Sequence, residues 1–430
     1  MTIAIIGLGY VGLPLCLQFA RSGVRVLGLD IDARKVRALN AGRSYIQHIK
    51  ADEIKKFVRA GKFSASTVFA QIKNVEAVLI CVPTPLKKNR APDLSFVLQT
   101  GKSLAPHLQS GQLVVLESTT YPGTTENELR AVLERGSGLQ AGKDFHLAFS
   151  PEREDPGNLR SKVADIPKVI GGYTPACLVA AKQVYSRAIR QLVPVANCRT
   201  AEAAKLLENV FRGVNIALVN ELKGVYAAMD IDIWDVIAAA KTKPFGFMPF
   251  YPGPGLGGHC IPIDPFYLAW KAKQVGQETR FVELAGKINR AMPEKVVARL
   301  AQALASRGGT APLRGARVLV LGLAYKANVD DDRESPSYRL LDLLKARGAQ
   351  VAYYDPHVPV IKPTREHPHW AGTKSVRWNR RAIAAFDAVL IATAHHTVNY
   401  QQLAGWARLI VDTRNVMAQC KVAAAKVWKA

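Results

Sequence analysis

The chain has 430 residues, of which 49% are hydrophobic and 21% charged, a composition typical of a globular protein with more than one domain. The formal net charge of +24 favours anionic ligands, but Lys and Arg are spread along the chain without an arginine-rich tail, which argues against nucleic acid as the partner. No stretch has the length and apolarity of a membrane span. The six cysteines form no CxxC pair, which predicts free thiols, a reducing cytoplasmic setting and no metal site.

The N-terminal stretch has the pattern of a dinucleotide-binding unit. An apolar run at residues 2–6 leads into Gly-Leu-Gly-Tyr-Val-Gly, then a helical pattern, then a second apolar run at residues 25–29. We expect Gly7 to permit the tight turn, Gly9 to let the backbone approach a pyrophosphate, and Gly12 to let the helix pack on the strand. Between these glycines lie two further candidate cofactor-binding residues, Tyr10 and Val11.

Asp30 ends the second apolar run, at the distance expected for an acid that binds the adenosine ribose. An acid here favours NAD over NADP as the cofactor. Lys35 lies close enough to bind a 2′-phosphate, so the choice of cofactor stays open at this point.

Polar clusters follow three further predicted strands of this domain, at residues 83–85, 117–120 and 150–153. Open α/β sheets bind ligands at the carboxyl ends of their strands, so we expect one shared crevice that includes Thr84. Any one of these clusters on its own is equally typical of a turn or a helix cap.

A long helix is predicted over residues 201–229, with Thr200 as its N-cap. Lys205 and Asn209 are four residues apart and therefore share one face, which is also what an ordinary solvated face looks like. A helix of this length with apolar residues around much of its surface is expected to span between domains or to pair with a second subunit.

Glycine and proline dominate residues 245–265, which predicts a loop. Cys260 lies near its end, and Asp264-Pro265 is typical of a helix start, with Asp as N-cap and Pro at the first helical position. The positive end of the helix dipole favours a thiolate at Cys260. The alternative interpretation is a turn with a buried, inert cysteine.

The last part of the chain predicts a second doubly wound α/β unit without a Gly-x-Gly-x-x-Gly motif. Cations near its strand ends (Lys326, Arg333, Arg414) suggest a second anionic ligand, or else the surface charge of a basic protein. The predicted fold is therefore two Rossmann-like domains, residues 1–195 and 311–430, joined by a central helical domain, residues 196–310, with its long spanning helix.

These motifs together resemble the UDP-glucose/GDP-mannose dehydrogenase family over residues 3–415. Three segments are most similar to the branch that oxidises UDP-N-acetylglucosamine: 44–49 (Ser-Tyr-Ile-Gln-His-Ile), 149–158 (Phe-Ser-Pro-Glu-Arg, then Asp-Pro-Gly-Asn) and 257–265 (Gly-Gly-His-Cys-Ile-Pro-Ile-Asp-Pro). The resemblance implies a four-electron oxidation of the sugar C6 alcohol to a carboxylate with two NAD, through a Cys260 thiohemiacetal and thioester, for bacterial surface polysaccharides. The long predicted helix, for its part, suggests a homodimer or larger homo-oligomer.

The resemblance assigns roles residue by residue. Lys205 would stabilise oxyanions, Asn209 would hold the sugar, and Asp264 with a water would handle protons. Thr119, near the cofactor, and Glu152 would position water, with Glu152 a candidate base for thioester hydrolysis. Further expected substrate contacts are Arg153, Tyr251, Gly257, Lys326 and Arg414, and Arg333 would reach the NAD side.

The chain departs from many relatives at two places. The stretch before the cysteine loop lacks an arginine found in the glucose-oxidising branch, with Lys243 as a possible substitute, and Ala327 stands where some relatives have a second lysine. Alternative functions are oxidation of UDP-N-acetylmannosamine, UDP-N-acetylgalactosamine or UDP-glucose. Others are a two-electron hydroxyacid dehydrogenase and a non-catalytic nucleotide-sugar-binding protein.

Overall fold

The computed structural model describes residues 1–46, 49–87, 89–153, 163–258, 261–308, 312–364 and 366–430. They group into two compact units. Unit 1 contains Met1–Asn209 and Ile263–Glu278, and unit 2 contains Val210–Pro262 and Thr279–Ala430. Within the described residues, no helix combines the length and apolarity needed to cross a membrane.

Each unit is built on one twisted, mainly parallel sheet, which confirms the predicted α/β fold class with two Rossmann-like sheets. The strands of unit 1 are β1 Thr2–Ile6, β2 Arg25–Leu29, β3 Phe63–Ser66, β4 Ala77–Ile80, β5 Leu113–Leu116, β6 His146–Phe149, β7 Lys168–Gly172 and β8 Leu192–Val195. Those of unit 2 are β9 Arg317–Leu321, β10 Gln350–Tyr354, β11 Ala388–Ile391, β12 Ile410–Asp412 and β13 Val427–Lys429.

The helices cover both faces of these sheets. In chain order they are α1 Gly12–Arg21, α2 Ala33–Asn40, α3 Ala51–Arg59, α4 Ser95–Leu104, α5 Arg130–Ser137, α6 Pro175–Tyr185, α7 Cys198–Ala227, α8 Ile233–Ala240, α9 Asp264–Gln274, α10 Arg280–Ala305, α11 Pro336–Ala346, α12 Arg380–Ile383 and α13 Tyr400–Trp406. The predicted long helix is confirmed as α7. The domain boundaries at 195/196 and 310/311 stay predictions.

The strand order places the glycine turn at a crevice. In unit 1 the order is β3-β2-β1-β4-β5-β6-β7-β8, so the chain reverses direction across the sheet between β1 and β4. All neighbouring strands are parallel except β6 and β7. The carboxyl ends of β1, β4, β5 and β6 therefore share one edge, which is where an open α/β sheet binds its ligand.

Both faces of each sheet are buried. Residues that alternate along a strand point to opposite faces of the sheet, and both sets are apolar. In β1, Ile3 and Ile5 pack into one hydrophobic cluster, whereas Ala4 and Ile6 pack into another. In unit 2, strand β9 divides its side chains between two clusters in the same way. These apolar runs explain why the strand positions were predictable from the sequence.

Two predicted helix caps are wrong. Asn197, not Thr200, caps α7: its Oδ1 accepts hydrogen bonds from the Thr200 backbone N–H at 2.9 Å and hydroxyl at 3.0 Å. Asp264 is the first residue of α9 rather than its N-cap, a position that Ile263 holds without a side-chain bond. The Asp264 carboxylate is engaged elsewhere, in the candidate site.

Candidate active site

The turn after β1 has the shape required to hold a pyrophosphate. Gly7 has a φ of +91°, and a Cβ there would lie 2.5 Å from the Cys81 carbonyl oxygen. A Cβ on Gly12 would lie 2.0 Å from the Gly7 carbonyl oxygen. A Cβ on Gly9 would meet no atom of the described residues within 4 Å, so protein packing does not account for this glycine. A ligand that lies against the backbone accounts for it.

Asp30 follows β2 beside this turn and is almost fully buried. Its Oδ2 accepts from the Leu8 backbone N–H at 2.9 Å and lies 3.2 Å from the Lys35 Nζ, and its Oδ1 accepts from the Asp32 N–H at 2.9 Å. A carboxylate offers about four acceptor sites, so one remains for a ribose hydroxyl. Lys35 is paired with the acid, which favours NAD over a 2′-phosphorylated cofactor.

Other predicted cofactor residues lie around the same edge. Val11 directly precedes α1, and its carbonyl accepts from the Leu15 N–H at 3.2 Å. Tyr10 is half-buried against the core of unit 1. Thr84 is buried just after β4, where the neighbouring Pro85 carbonyl accepts a hydrogen bond from the Tyr267 hydroxyl at 3.0 Å.

The centre of the candidate site joins α7 to the first turn of α9. The Asn209 Nδ2 donates to the Asp264 Oδ2 at 2.6 Å, and both side chains are buried. Burial raises the pKa of Asp264 to about 7, although the nearby Lys205 charge and the Asn209 hydrogen bond act in the opposite direction. Lys205 and Asn209 thus both face Asp264, as their helical spacing predicts.

Thr119 and Glu152 lie at neighbouring strand ends. Thr119 is half-buried after β5, and Glu152 is half-buried after β6 with its Oε2 3.5 Å from the Lys168 Nζ. Arg153 binds protein groups: its Nη2 lies 2.8 Å from a carboxylate oxygen of Glu208, and its Nη1 donates to the Pro167 carbonyl at 2.7 Å. This pairing ties the segment after β6 to α7, and a substrate contact of Arg153 stays a prediction.

Glu202 fixes the start of α7 against the segment that follows Thr119. Its carboxylate is fully buried and accepts from the Gly123 N–H at 2.6 Å, the Thr125 N–H at 2.9 Å and the Thr125 hydroxyl at 2.8 Å. Burial raises its pKa to about 7 against the effect of these donors. Lys205 lies one turn further along the same helix, so Glu202 sets where Lys205 is placed.

In unit 2, the Gly-rich loop is anchored to α7 and to the end of β12. The Tyr251 ring stacks on Trp234 with centroids 5.6 Å apart and an interplanar angle of 15°. The Gly253 N–H donates to the Asn220 Oδ1 on α7 at 2.9 Å. A Cβ on Gly253 would lie 2.5 Å from the Arg414 Nη1, so a larger residue there would require this guanidinium to shift.

The next part of this loop packs on the turn after β9. A Cβ on Gly257 would lie 2.8 Å from both the Pro336 Cδ and the Tyr325 Cβ. Gly258 has a φ of +81°, and its N–H donates to the Arg333 carbonyl at 3.3 Å. These contacts bring the loop next to the segment that carries two of the predicted cations.

Those cations, Lys326 and Arg333, follow β9. Lys326 is half-buried. The Arg333 guanidinium makes a two-pronged contact with Asp331, at 2.8 Å from Nε and 2.7 Å from Nη2. Their contacts with substrate and cofactor, like those of Tyr251, Gly257 and Arg414, stay predictions.

Cys260 lies outside the described residues, together with His259, Gln47, His48 and residues 154–162. The predicted nucleophile and parts of all three motif segments therefore rest on the sequence. The described residues on either side of Cys260 belong to the Gly-rich loop and to α9, which starts four residues later at Asp264.

Three family domains match the chain in order. Residues 1–189 match the NAD binding domain of the UDP-glucose/GDP-mannose dehydrogenase family, residues 199–291 its central domain, and residues 319–419 its UDP binding domain. The chain belongs to this family. It is accordingly an NAD-dependent nucleotide-sugar oxidoreductase, as the sequence motifs predicted.

Several relatives within the UDP-glucose/GDP-mannose dehydrogenase family match nearly the whole chain. The chain is 35% identical to UDP-N-acetyl-D-glucosamine 6-dehydrogenase of Pseudomonas aeruginosa, over 92% of this chain and 90% of that protein. It is 33% identical to UDP-N-acetyl-D-mannosamine dehydrogenase of Pyrococcus horikoshii, over 97% and 96%. A solved structure of the Pyrococcus enzyme matches with a TM-score of 0.88 and 31% identity, over 100% of this chain and 99% of that one.

A third relative carries a different sugar in its name. The chain is 32% identical to NDP-N-acetyl-D-galactosaminuronic acid dehydrogenase of Ralstonia solanacearum, over 98% of each protein. The three relatives differ by only three percentage points in identity and are named for three different N-acetylhexosamine derivatives. Sequence similarity therefore establishes the family and leaves the sugar to experiment.

Sequence reasoning missed four buried polar residues of unit 1: Glu117, Lys168, Tyr185 and Glu202. Glu117 stood in a predicted polar cluster but received no role, although an acid directly after an apolar strand is itself a signal. Lys168 opens β7, which was not predicted as a strand, so its burial had no signal in the sequence.

Proposed function

We propose that this chain oxidises the C6 alcohol of a UDP-N-acetylhexosamine to the uronic acid with two NAD per sugar. The proposed substrate is UDP-N-acetylglucosamine, ahead of its epimers. The observation that carries the proposal is the buried contact of Asp264 with Asn209, beside Lys205, four residues after Cys260. A plain alcohol dehydrogenase has no need for a cysteine four residues before such an aspartate in the sequence.

The first step removes the proton of the C6 hydroxyl group and a hydride from C6. Gly9, Gly12 and Asp30 would hold NAD, which would supply the hydride acceptor for each of the two oxidations. Asp264 accepts the hydroxyl proton through a water, a task suited to a carboxyl group whose pKa is about 7. The Lys205 ammonium stabilises the negative oxygen, and Asn209 holds the sugar.

The second step is covalent. The Cys260 thiolate adds to the aldehyde carbon, the carbonyl oxygen takes up a proton, and a thiohemiacetal results. Loss of the second hydride and of that proton gives a thioester on Cys260. The sulfur thereby holds the sugar between two oxidations that would otherwise release a free aldehyde.

The last step is hydrolysis. Glu152 accepts a proton from a water that Thr119 helps to position, and this water attacks the thioester carbon. The C–S bond breaks, Cys260 leaves as thiolate, and the sugar leaves as carboxylate. In unit 2, Tyr251, Gly257, Lys326 and Arg414 would contact the UDP part of the substrate, as Arg153 would in unit 1, and Arg333 would reach the NAD side.

The proposed biological setting is the synthesis of bacterial surface polysaccharide in the cytoplasm, where NAD and UDP-sugars are made. The five cysteines of the described residues are free thiols, in keeping with a reducing compartment.

A homo-oligomer also belongs to the proposal. Helix α7 exposes Leu207, Phe211, Leu218 and Val225, whose spacing of four, seven and seven residues places them along one stripe. An exposed apolar stripe of this kind suits pairing with a second copy of the chain. A monomer in size-exclusion chromatography with light scattering, at the concentration of the activity assay, would contradict it.

Replacement of Cys260 tests the covalent step. We expect Cys260→Ser to lower uronate formation on the order of a thousandfold or more, because a serine hydroxyl is a much poorer nucleophile at neutral pH. Affinities for NAD and UDP, measured by calorimetry, should stay within about twofold. Cys420→Ser, at a half-buried cysteine outside the proposed site, is the matched control. Uronate formation at the unaltered rate in Cys260→Ser would remove the cysteine from the mechanism.

A substrate panel tests the sugar. With NAD in excess, kcat/KM is measured for UDP-N-acetylglucosamine, UDP-N-acetylmannosamine, UDP-N-acetylgalactosamine and UDP-glucose. We expect the first to be highest, although epimers that differ by a few hydrogen bonds are separated by a modest free energy. A higher kcat/KM for another sugar would replace the proposed substrate while leaving the reaction class in place.

A further inference from the structure

A buried charged cluster lies at the carboxyl edge of the unit 1 sheet, directly beneath Glu152. It consists of Glu117 after β5, Lys168 at the start of β7 and Tyr185 at the end of α6. The proposed function assigns a role to Glu152 and none to these three residues.

The antiparallel pairing of β6 and β7 brings Lys168 to this edge. Ala148 pairs with Gly172 and Phe149 with Gly171. Extending that register by three residues places Lys168 opposite Glu152. A parallel β7 would have begun at the other edge of the sheet, so this strand reversal is what delivers a lysine to the site edge.

The ammonium of Lys168 is held between two carboxylates. Its Nζ lies 2.5 Å from the Glu117 Oε2 and 3.5 Å from the Glu152 Oε2. The Tyr185 hydroxyl donates to the other Glu117 oxygen, and the Lys168 Nζ lies 5.4 Å from the centroid of the Tyr185 ring. Side-chain exposure is 0% for Glu117, 6% for Lys168 and 14% for Glu152, so the cluster opens towards solvent at Glu152.

Both oxygens of Glu152 therefore have a donor. The Arg153 backbone N–H donates to its Oε1 at 2.6 Å, and the Lys168 ammonium lies at its Oε2. Two contacts of this kind orient a carboxylate.

The cluster has two carboxylates beside one ammonium, which is more negative charge than is needed to neutralise that ammonium. Glu117 alone neutralises the buried Lys168 ammonium and accepts a hydrogen bond from it, and the Tyr185 hydroxyl donates to Glu117. Burial opposes the ammonium form, but the charges of Glu117 and Glu152 outweigh that effect and raise the pKa of Lys168. Among the described residues, the titratable groups that act on Lys168 are these two acids, Tyr185 and Cys81, which follows β4.

We propose that Lys168 is a positioning residue for Glu152. Glu117 and Tyr185 fix the Lys168 ammonium, and this ammonium orients the Glu152 carboxylate to accept a proton from the water that hydrolyses the thioester. The inference rests on the proposed function, since it concerns the release step of that reaction.

The release step is measured directly. Enzyme is mixed with a single equivalent of UDP-N-acetylglucosamine and excess NAD, and the reaction is quenched at intervals. Mass spectrometry of the intact chain follows the sugar adduct on Cys260, and absorbance follows NADH. Variants are Lys168→Met, which keeps side-chain length without charge, Lys168→Arg, which keeps the charge, and Lys182→Met as control at an exposed lysine on α6.

For Lys168→Met we expect two NADH to appear at the unaltered rate while the adduct persists, with release slowed on the order of 10–100-fold. Lys182→Met should release product as the unaltered chain does. Unchanged release in Lys168→Met would overturn the proposal.

A double-mutant cycle separates positioning from general structural damage. In a Glu152→Gln background, Lys168→Met should slow release no further, because the lysine acts only through Glu152. An equal slowing in both backgrounds would overturn the proposal. If circular dichroism shows that Lys168→Met does not fold, Lys168→Arg carries the test. Its release should stay within about threefold of the unaltered chain, and a loss as large as that of Glu152→Gln would contradict it.

The adduct and NADH measurements also separate this inference from the proposed function. If the unaltered chain forms no adduct on Cys260 and yields only one NADH per sugar, the proposed function fails. If adduct and two NADH appear and Lys168→Met releases normally, the function stands and the role of Lys168 fails.

Discussion

Asp264 combines two properties that a sequence pattern cannot separate. Its place before Pro265 is typical of an N-cap, yet its side chain turns to Asn209 on α7. Whether Asp264 caps α9 or contacts another helix depends on which helix packs against α9. That contact joins residues more than fifty positions apart. Burial in that contact raises the pKa of Asp264 to about 7, with Lys205 and Asn209 opposing. The same burial that makes Asp264 a base at neutral pH destabilises the ionised form.

This predicts a pH-dependent stability change for Asp264→Asn. The pKa of Asp264 in the folded chain lies above its ordinary value of 3.8, so its contribution to stability is present below about pH 4 and is lost as the pH rises through about 7. The asparagine variant has no such loss. We expect it to match the unaltered chain near pH 4 and to exceed its free energy of unfolding by roughly 1–4 kcal/mol near pH 8.

Urea denaturation between about pH 4 and pH 8.5 measures this difference. Asp52→Asn, at a side chain that is 95% exposed, is the matched control and should show no comparable trend. A stability difference for Asp264→Asn that stays constant across the range would contradict the buried, proton-binding carboxyl group.

At the scale of elements, the first turns of the two sheets have the same geometry. Gly7 and Gly322 both have a φ of +91°, and each N–H donates at 2.8 Å to the last residue of the neighbouring strand. The acids that follow the neighbouring strands, Asp30 and Asp355, differ in how many of their acceptor sites are occupied. Asp355 accepts from the backbone N–H groups of residues 323, 324, 357 and 358 and contacts His395 at 3.0 Å. It has no acceptor site left for a ribose, whereas Asp30 has one.

The Gly-rich loop allows an element-scale prediction. Gly257→Ala should destabilise unit 2 by about 1–3 kcal/mol and weaken UDP binding, because its Cβ would lie 2.8 Å from Pro336 and Tyr325. Gly224→Ala is the control: this glycine is in α7, its Cβ would meet no described atom within 4 Å, and the change should stabilise by roughly 0.5–1 kcal/mol. Thermal unfolding and calorimetry with UDP measure both. Equal effects of the two substitutions would show that packing does not require a glycine at 257.

At the scale of the whole molecule, the parts that the sequence predicted are those set by local pattern. Apolar runs that end in glycine or an acid located β1 and β2 to the residue. The parts that it missed depend on pairing across the sheet. Nothing local to Lys168 indicates that β7 runs antiparallel to β6, and without that reversal the charged cluster beneath Glu152 cannot be foreseen. The net charge of +24, by contrast, is a property of the surface and specifies no residue of the site.

The central claim is that two oxidations occur on one sugar before release. The most direct measurement is the amount of NADH formed per UDP-N-acetylglucosamine consumed at completion, with NAD in excess and the product identified by mass spectrometry. The proposed mechanism predicts two NADH and one uronic acid for each sugar. One NADH per sugar, with an aldehyde as the product, would contradict it.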